Sequence, residues 1–212
     1  MKEYNKIENV FERGTTGKKE LIMWKFNSET VEYLANNTWI FTEKINGTNI
    51  RICWDGHKIR FGGRADTSQI PSHLVNKLNE MFMNTETEEL FEQKFGKKEV
   101  ILFCEGYGAK IQNGSQYRSD VGFILFDVMI GENYQSRETV EEIAHYFDLE
   151  IVPIVLIGTV QDAITFVSSQ PESTIGTAKM EGVVGKPEIE LNDRTGKRVI
   201  VKIKARDFKN DR

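Results

Sequence analysis

The stretch TEKINGTNIRI, Thr42 to Ile52, decides how this chain is read, because it sets one lysine, Lys44, between an apolar run and a glycine turn. Ahead of it, Trp39, Ile40 and Phe41 are strong β-formers. After it, Ile50 and Ile52 alternate with Arg51 and Cys53 in the period of a strand. Two strands therefore flank a tight connection at Asn46-Gly47. Glycine tolerates a positive φ and lets other groups approach the backbone, which predicts Lys44 beside a pocket. A lysine so placed can attack phosphorus once its amine is neutral, a state favoured by burial and neighbouring cations. The Lys-x-x-Gly spacing alone carries little. Chance gives about one or two matches in a chain of this composition, and the chain holds Lys44 to Gly47 and Lys179 to Gly182. Taken alone, Lys44 is a solvated lysine at a strand end, so the stretches that accompany it decide its meaning.

Working outward, strands are predicted over 38–45, 49–54 and 58–63, the last two joined by the hairpin signal Asp55-Gly56. Residues 1–27 read as a mixed lead-in, followed by a short helix opened by Ser28 with Val31 and Leu34 on one face. Pro71 opens a helix through Leu74, Leu78 and Met81, and a second helix stops at Gly96. Further strands are expected at 99–105, 121–130, 151–157, 180–185 and 198–204, with helices at 137–147 and 160–169. The fold class is α+β: antiparallel sheets flanked by helices, with a pocket between them. At 212 residues with no evident linker, 1–212 reads as one domain.

Composition narrows the function classes. The formal net charge is −4, from 28 basic and 32 acidic residues, which argues against bulk electrostatic wrapping of nucleic acid and leaves a local basic channel open. Lys186, Lys197, Lys202, Lys204 and Lys209 crowd the end of the chain. Cys53 and Cys104 lie in apolar strand patterns and read as buried reduced thiols, and His57, His73 and His145 lack metal-ligand spacing. No apolar run suits a membrane span and MKEYNKIENV is not a signal peptide, so a cytoplasmic protein is expected.

Five further stretches stand out. In RFGGRAD, Arg64 follows a double glycine as a guanidinium suited to phosphate. In ILFCEGYGAKIQNG a strand delivers Glu105 into a glycine-rich loop, where a carboxylate can bind ribose hydroxyls or a cation. GFILFDVM offers Phe126, a core aromatic unless it edges a cleft and stacks on a base. EGVVGKP holds Glu181 and Lys186 five residues apart, on opposite faces of a regular strand, so a bulge or strand end at Gly185 is expected. RVIVKIKARDF places Lys202 and Lys204 on one face, a pair that raises the local potential toward polyphosphate.

In this order and spacing the motifs resemble those of the covalent lysyl-nucleotidyltransferase superfamily, the ATP-dependent ligases and capping enzymes, over about residues 38–206. EKINGTN, FCEGYG, FILFDV, EGVVGKP and VKIK are similar to the phage double-strand-type, nick-sealing RNA ligases. The resemblance implies Lys44 as the nucleotide-accepting nucleophile, with Glu43 and Asn49 beside it for adenine and phosphate. It implies Arg64 on a phosphate, Glu105 on the ribose and Phe126 stacked on adenine. Glu181 would serve the metal and the lysine, with Glu105 as the other metal partner, and Lys186, Lys202 and Lys204 would hold the α-phosphate. The cofactors implied are ATP and Mg2+ or Mn2+, and the partners are RNA ends or a nicked duplex, with no membrane and no protein partner indicated.

Two departures accompany the resemblance: Asn46 stands where relatives often carry histidine, and the chain ends eight residues after Lys204, without room for a C-terminal domain. The expected chemistry is three-step. Lys44 attacks the ATP α-phosphate and expels pyrophosphate, AMP passes to a 5′-phosphate, and a 3′-hydroxyl displaces AMP. The competing readings are a DNA nick ligase, a capping-type guanylyltransferase, and a noncatalytic module that binds nucleotide or RNA ends.

Overall fold

The computed structural model describes residues 1–17, 19–112 and 114–208; Lys209 lies outside them. In chain order the elements are β1 (Glu8–Asn9), β2 (Phe11–Arg13), β3 (Leu21–Phe26), α1 (Glu29–Leu34), β4 (Trp39–Glu43), β5 (Thr48–Trp54), β6 (Ile59–Gly62), α2 (Ser72–Phe82), α3 (Thr85–Phe95), β7 (Val100–Gly108), β8 (Val121–Ile130), β9 (Asn133–Tyr134), α4 (Arg137–Tyr146), β10 (Glu150–Ile151), β11 (Ile154–Gly158), α5 (Val160–Ser168), β12 (Gly182–Pro187) and β13 (Val201–Lys204). The α+β expectation holds. The sheets are mainly antiparallel, with β1 on β13 and β10 on β8 as parallel pairs.

The chain forms two compact units, Met1–Asn5 with Asn46–Val152 and Lys6–Ile45 with Pro153–Arg212. The quoted motif is where the chain passes from one to the other: β4 belongs to one sheet and β5 to another. The segment read as one strand over 151–157 is also divided. Pro153, which has no N–H to donate, separates β10 from β11, and the two strands join different sheets.

In the unit built around Asn46–Val152, the strand order is β10-β8-β7-β5-β6, with β9 on β8. One face carries Ile50, Ile52, Leu102 and Leu125, covered by Leu74 and Leu78 of α2, Phe91 of α3 and Ile143 of α4. The other face carries Cys53, Ile101, Phe103 and Met129 beneath Tyr4, Phe126 and Tyr134. Arg51 is therefore not on a solvated face, and the guanidinium is fully buried. The helix ends are capped as their sequences suggest: Asn84 accepts from Thr87 N at 2.8 Å, and Gly96 takes φ +59 beyond α3. Both cysteines are free and buried, and burial is the main cause that pushes the Cys53 thiol up to about 11.

In the second unit, the order is β1-β13-β12-β4-β11, with the hairpin β2-β3 beside it. Trp39 and Phe41 of β4, Val183 of β12 and Ile203 of β13 point to one face, where Val160 and Val167 of α5 and Val31 of α1 cover them. Each such side chain contributes about 1.5–3 kcal/mol of burial. Thr159 caps α5 in a reciprocal capping box with Asp162, and Ser28 caps α1. Three strands thus lie within the lead-in that the sequence left unassigned.

Candidate active site

The second unit gathers the lysines. On β4 the buried positions Trp39, Phe41 and Glu43 alternate with Ile40 and Thr42, and the same alternation sends Lys44 to the face opposite the α5-packed core. Backbone pairing continues past the strand end, with Lys44 N donating to Gly182 O at 2.9 Å. Across the sheet Val184 is opposite Thr42 and Lys202, and Lys186 is opposite Ile40. Lys186, Lys202 and Lys204 therefore share the Lys44 face.

Glu181 ties this face together. Lys44 Nζ donates to its Oε2 at 2.7 Å, and Lys204 Nζ lies 3.0 Å from its Oε1. Burial works to raise the Glu181 carboxyl, but the Lys44 and Lys204 ammonium groups outweigh it and hold the carboxyl below the usual glutamate range. The Lys202 ammonium is depressed by burial first, then by Lys204 and Lys44. Its Nζ donates to Ile7 O at 2.7 Å. Lys186 stands 3.7 Å from Glu190.

The break that brings Glu181 to Lys204 is at Gly182, not at Gly185 as the sequence suggested. Gly182 has φ +150, and a Cβ there would lie 2.0 Å from Ile203 O. Glu181 thus precedes the regular strand and escapes its alternation. Gly185 serves packing instead, since a Cβ would meet the Phe41 ring at 2.3 Å.

Glu43 is fully buried on the core side. Its carboxylate accepts from Ser173 Oγ at 2.5 Å, Thr174 N at 2.9 Å and Thr174 Oγ1 at 2.6 Å. The side chain is committed to holding the loop after α5, away from the lysine face. Ser173 and Thr174 carry no sequence signal for this role.

In the first unit, Asn49 and Glu105 are register partners on β5 and β7. The Asn49 Oδ1 is buried without a hydrogen-bond partner, an acceptor that the fold leaves open. Gly47 is needed for close approach rather than for a positive φ, because a Cβ would stand 2.3 Å from Gly106 O. Gln112 Nε2 donates to Gly47 O at 2.6 Å, and Asn46 N donates to Tyr117 Oη at 3.4 Å. These two residues steady the turn after the lysine and were not singled out from the sequence.

Phe126 sits where β7 and β8 shift register between Phe103 and Cys104. A bulge there turns both Phe126 and Asp127 toward the Tyr4 side. Tyr4 donates to Asp127 Oδ2 at 2.7 Å, and its ring meets Phe126 edge-on at 5.1 Å. Arg64 is exposed on a loop pinned by Arg51, whose guanidinium donates to Gly63 O at 2.6 Å and Asp66 Oδ1 at 2.8 Å. Arg51 also donates to Met1 O and Lys2 O at 2.9 and 3.1 Å.

Among the described residues no group of three or more His, Cys, Asp or Glu side chains is set to hold a metal ion. A magnesium-type ion keeps several waters and is commonly held by one or two carboxylates plus substrate phosphates. Single carboxylates such as Glu181 and Glu105 fit an ion of that kind. No helix among the described residues is long and apolar enough to cross a membrane.

A family model described as RNA ligase matches residues 37–204. None of the curated proteins compared matches the sequence. Among solved structures, a Naegleria gruberi RNA ligase mutant with ATP and Mn is similar at 15% identity and TM-score 0.68, over 96% of this chain and 56% of that one. A second mutant of the same ligase, with AMP and Mn, is similar at 17% identity and TM-score 0.65, over 98% and 57%. The same ligase with PPi is similar at 17% identity and TM-score 0.64, over 84% and 52%. The chain spans little more than half the length of these structures, and at such identities the likeness speaks for the fold.

Proposed function

Since the chain belongs to the RNA ligase family, we propose that it is an ATP-dependent RNA ligase whose Lys44 accepts AMP, residues 1–212 serving as one adenylyltransferase domain. The observation that carries this reading is the bridge Lys44–Glu181–Lys204 on the lysine face, at 2.7 and 3.0 Å. Two ammonium groups on one carboxylate, with the Lys202 ammonium close enough to act on both, leave an excess of positive charge, which suits a triphosphate. The carboxylate aims the two that it holds.

The Lys44 Nζ lone pair forms a bond to the ATP α-phosphorus, the bond to the bridging oxygen breaks, and pyrophosphate leaves. One amine proton passes to solvent in this step, the Lys44 side chain being 23% exposed. Lys202 and Lys204 neutralise the α-phosphate as negative charge gathers on its oxygens. Lys186 extends the same positive face. AMP then passes to a 5′-phosphate, and the attack of a 3′-hydroxyl releases AMP and closes the phosphodiester.

For the first unit the family resemblance assigns nucleoside contacts: Glu105 to the ribose, Phe126 to the adenine ring, Asn49 through its open acceptor, and Arg64 to a phosphate. Glu43 contributes by fixing Thr174 and the end of β4, and so the departure of Lys44. A divalent ion, held by Glu181 or Glu105 with the phosphates, would supply charge neutralisation. ATP and Mn in the Naegleria ligase structures support the nucleotide and metal class. Within the family, the motif EKINGTN favours the phage double-strand-type, nick-sealing branch, acting on RNA ends.

The test is incubation with α-labelled ATP or GTP and magnesium, followed by denaturing electrophoresis. Covalent label from ATP that is lost in Lys44→Ala supports the reading. Label from GTP alone indicates a guanylyltransferase, and label that persists in Lys44→Ala removes Lys44 as the nucleophile.

A further inference from the structure

The hairpin β2-β3 shows an apolar surface that its own fold does not use. Along β3 the four consecutive residues Ile22, Met23, Trp24 and Lys25 are all exposed, which breaks the alternation of a strand with one face buried. Trp24 is 57% exposed, and it lies at φ +65. A left-handed backbone in a non-glycine residue costs on the order of 1–3 kcal/mol and is kept where the surroundings impose it. The indole is not loose: the buried Phe11 ring meets it edge-on at 5.5 Å. Trp39 and Trp54, by contrast, are buried.

The surround is basic in a chain of net charge −4. Residues 11–26 carry Arg13, Lys18, Lys19 and Lys25 against Glu12 and Glu20, and Lys25 pairs with Glu12 at 2.7 Å. The hairpin is also fixed to the lysine-bearing strand. Val10 N donates to Lys202 O at 3.2 Å, Asn9 is the register partner of Lys202, and Arg13 pairs at 2.5 Å with Asp207, three residues past Lys204.

We propose that this hairpin is a docking platform for a single-stranded RNA segment: a base stacks on Trp24, and Lys19 meets a flanking phosphate. An exposed aromatic bordered by cations is the combination that binds unpaired nucleotides without reading their sequence. A paired helix keeps its bases stacked and offers no ring, so the occupant is an unpaired strand. The proposal rests on the RNA ligase reading for the identity of the polyanion.

The test reads binding without ATP. Fluorescence anisotropy follows a labelled single-stranded RNA, and intrinsic fluorescence follows Trp24, the exposed tryptophan. RNA should quench that emission and protect it from iodide. In Trp24→Leu the Kd should rise by about 5- to 150-fold, equivalent to about 1–3 kcal/mol at about 1.4 kcal/mol per tenfold. Trp24→Phe should recover part of the loss. Lys19→Ala should make the log Kd against log salt slope shallower by about 0.7. Blunt RNA duplex should bind equally to wild type and Trp24→Leu.

Unchanged single-strand affinity in Trp24→Leu overturns the proposal. So does a concentration-dependent dimer that Trp24→Leu abolishes, since a second copy would then cover the patch. Labelling by α-labelled ATP is measured separately and should be equal in wild type and Trp24→Leu. A wild type that binds single strands through Trp24 yet takes no label keeps the platform and fails the ligase reading. A wild type that labels normally but binds RNA independently of Trp24 fails the platform alone.

Discussion

Replacing Glu181 with glutamine isolates what the carboxylate contributes. In the folded protein its two oxygens serve two cations, Lys44 at 2.7 Å and Lys204 at 3.0 Å, with the three side chains each about one-fifth exposed. Glutamine keeps the shape but offers one carbonyl oxygen and one NH2. It can therefore accept from one ammonium only, while the NH2 turns a donor toward the other. A hydrogen bond to a charged group is worth about 1.5–3 kcal/mol, so losing the aim of Lys44 should slow AMP transfer by about 10- to 150-fold at about 1.36 kcal/mol per decade. The loss should appear in the labelling rate at saturating ATP, because the Glu181 oxygens are engaged by the two lysines. Apparent ATP affinity should hold or tighten, since a negative charge leaves a site that receives a polyphosphate. Rapid-quench single-turnover labelling over a range of ATP concentrations, with thermal melts to verify folding, measures both quantities. A folded Glu181→Gln that labels at the wild-type rate at saturation, or that loses only ATP affinity, would falsify the bridge as the device that aims Lys44.

Four other outcomes can be checked in the same preparations. Lys44→Ala should abolish covalent labelling without lowering thermal stability greatly, and persistent label would move the nucleophile elsewhere. Lys202→Ala and Lys204→Ala should each cut labelling by about one to two decades, from a lost contact of about 1.5–3 kcal/mol; normal labelling by both would return the strand to an ordinary surface. Gly47→Ala would press a methyl to 2.3 Å from Gly106 O and should destabilise the fold by about 1–3 kcal/mol, read as a lower urea midpoint. The Glu181 carboxyl lies below the usual glutamate range in the folded state, so in pH-dependent urea melts its contribution should be complete above that range and disappear as pH falls below it. Glu181→Gln should flatten that acid limb, and an unchanged limb would place the acid sensitivity elsewhere.

The sequence carried the periodicities and the order of motifs, and these located the helices at Ser72–Phe82 and Thr85–Phe95 and the strands around Lys44, Glu105 and Lys202. It could not carry what depends on two elements meeting. Ile50-Arg51-Ile52-Cys53 looks half-solvated as a pattern, but this strand lies between neighbours in a sheet covered on both faces, and the loop at Gly63 and Asp66 satisfies Arg51. Glu43 reads as a neighbour of the nucleophile because it is adjacent in sequence. Strand alternation sends it to the opposite face, where Ser173 and Thr174 use its carboxylate. The lead-in over 1–27 concealed three strands since two of them are only two and three residues long, too short to show a period.

The Glu181 and Lys186 spacing shows how a failed expectation still points to structure. Five residues on a regular strand put the two on opposite faces, so a break was required somewhere between them, and EGVVGKP offers two glycines. Gly185 lies in the ladder opposite Phe41, where a glycine makes room for a ring. Gly182 lies at the strand entry, takes a backbone that side-chain-bearing residues avoid, and passes within 2.0 Å, at its absent Cβ, of Ile203 O. The entry is therefore the place where the chain can turn Glu181 toward Lys44 and Lys204 without breaking the β12 pairing with β4 and β13. The acid sits outside the sheet and the cations that answer it sit on the sheet. One irregular residue at a strand end thus converts a parity mismatch in the sequence into the Lys44–Glu181–Lys204 bridge.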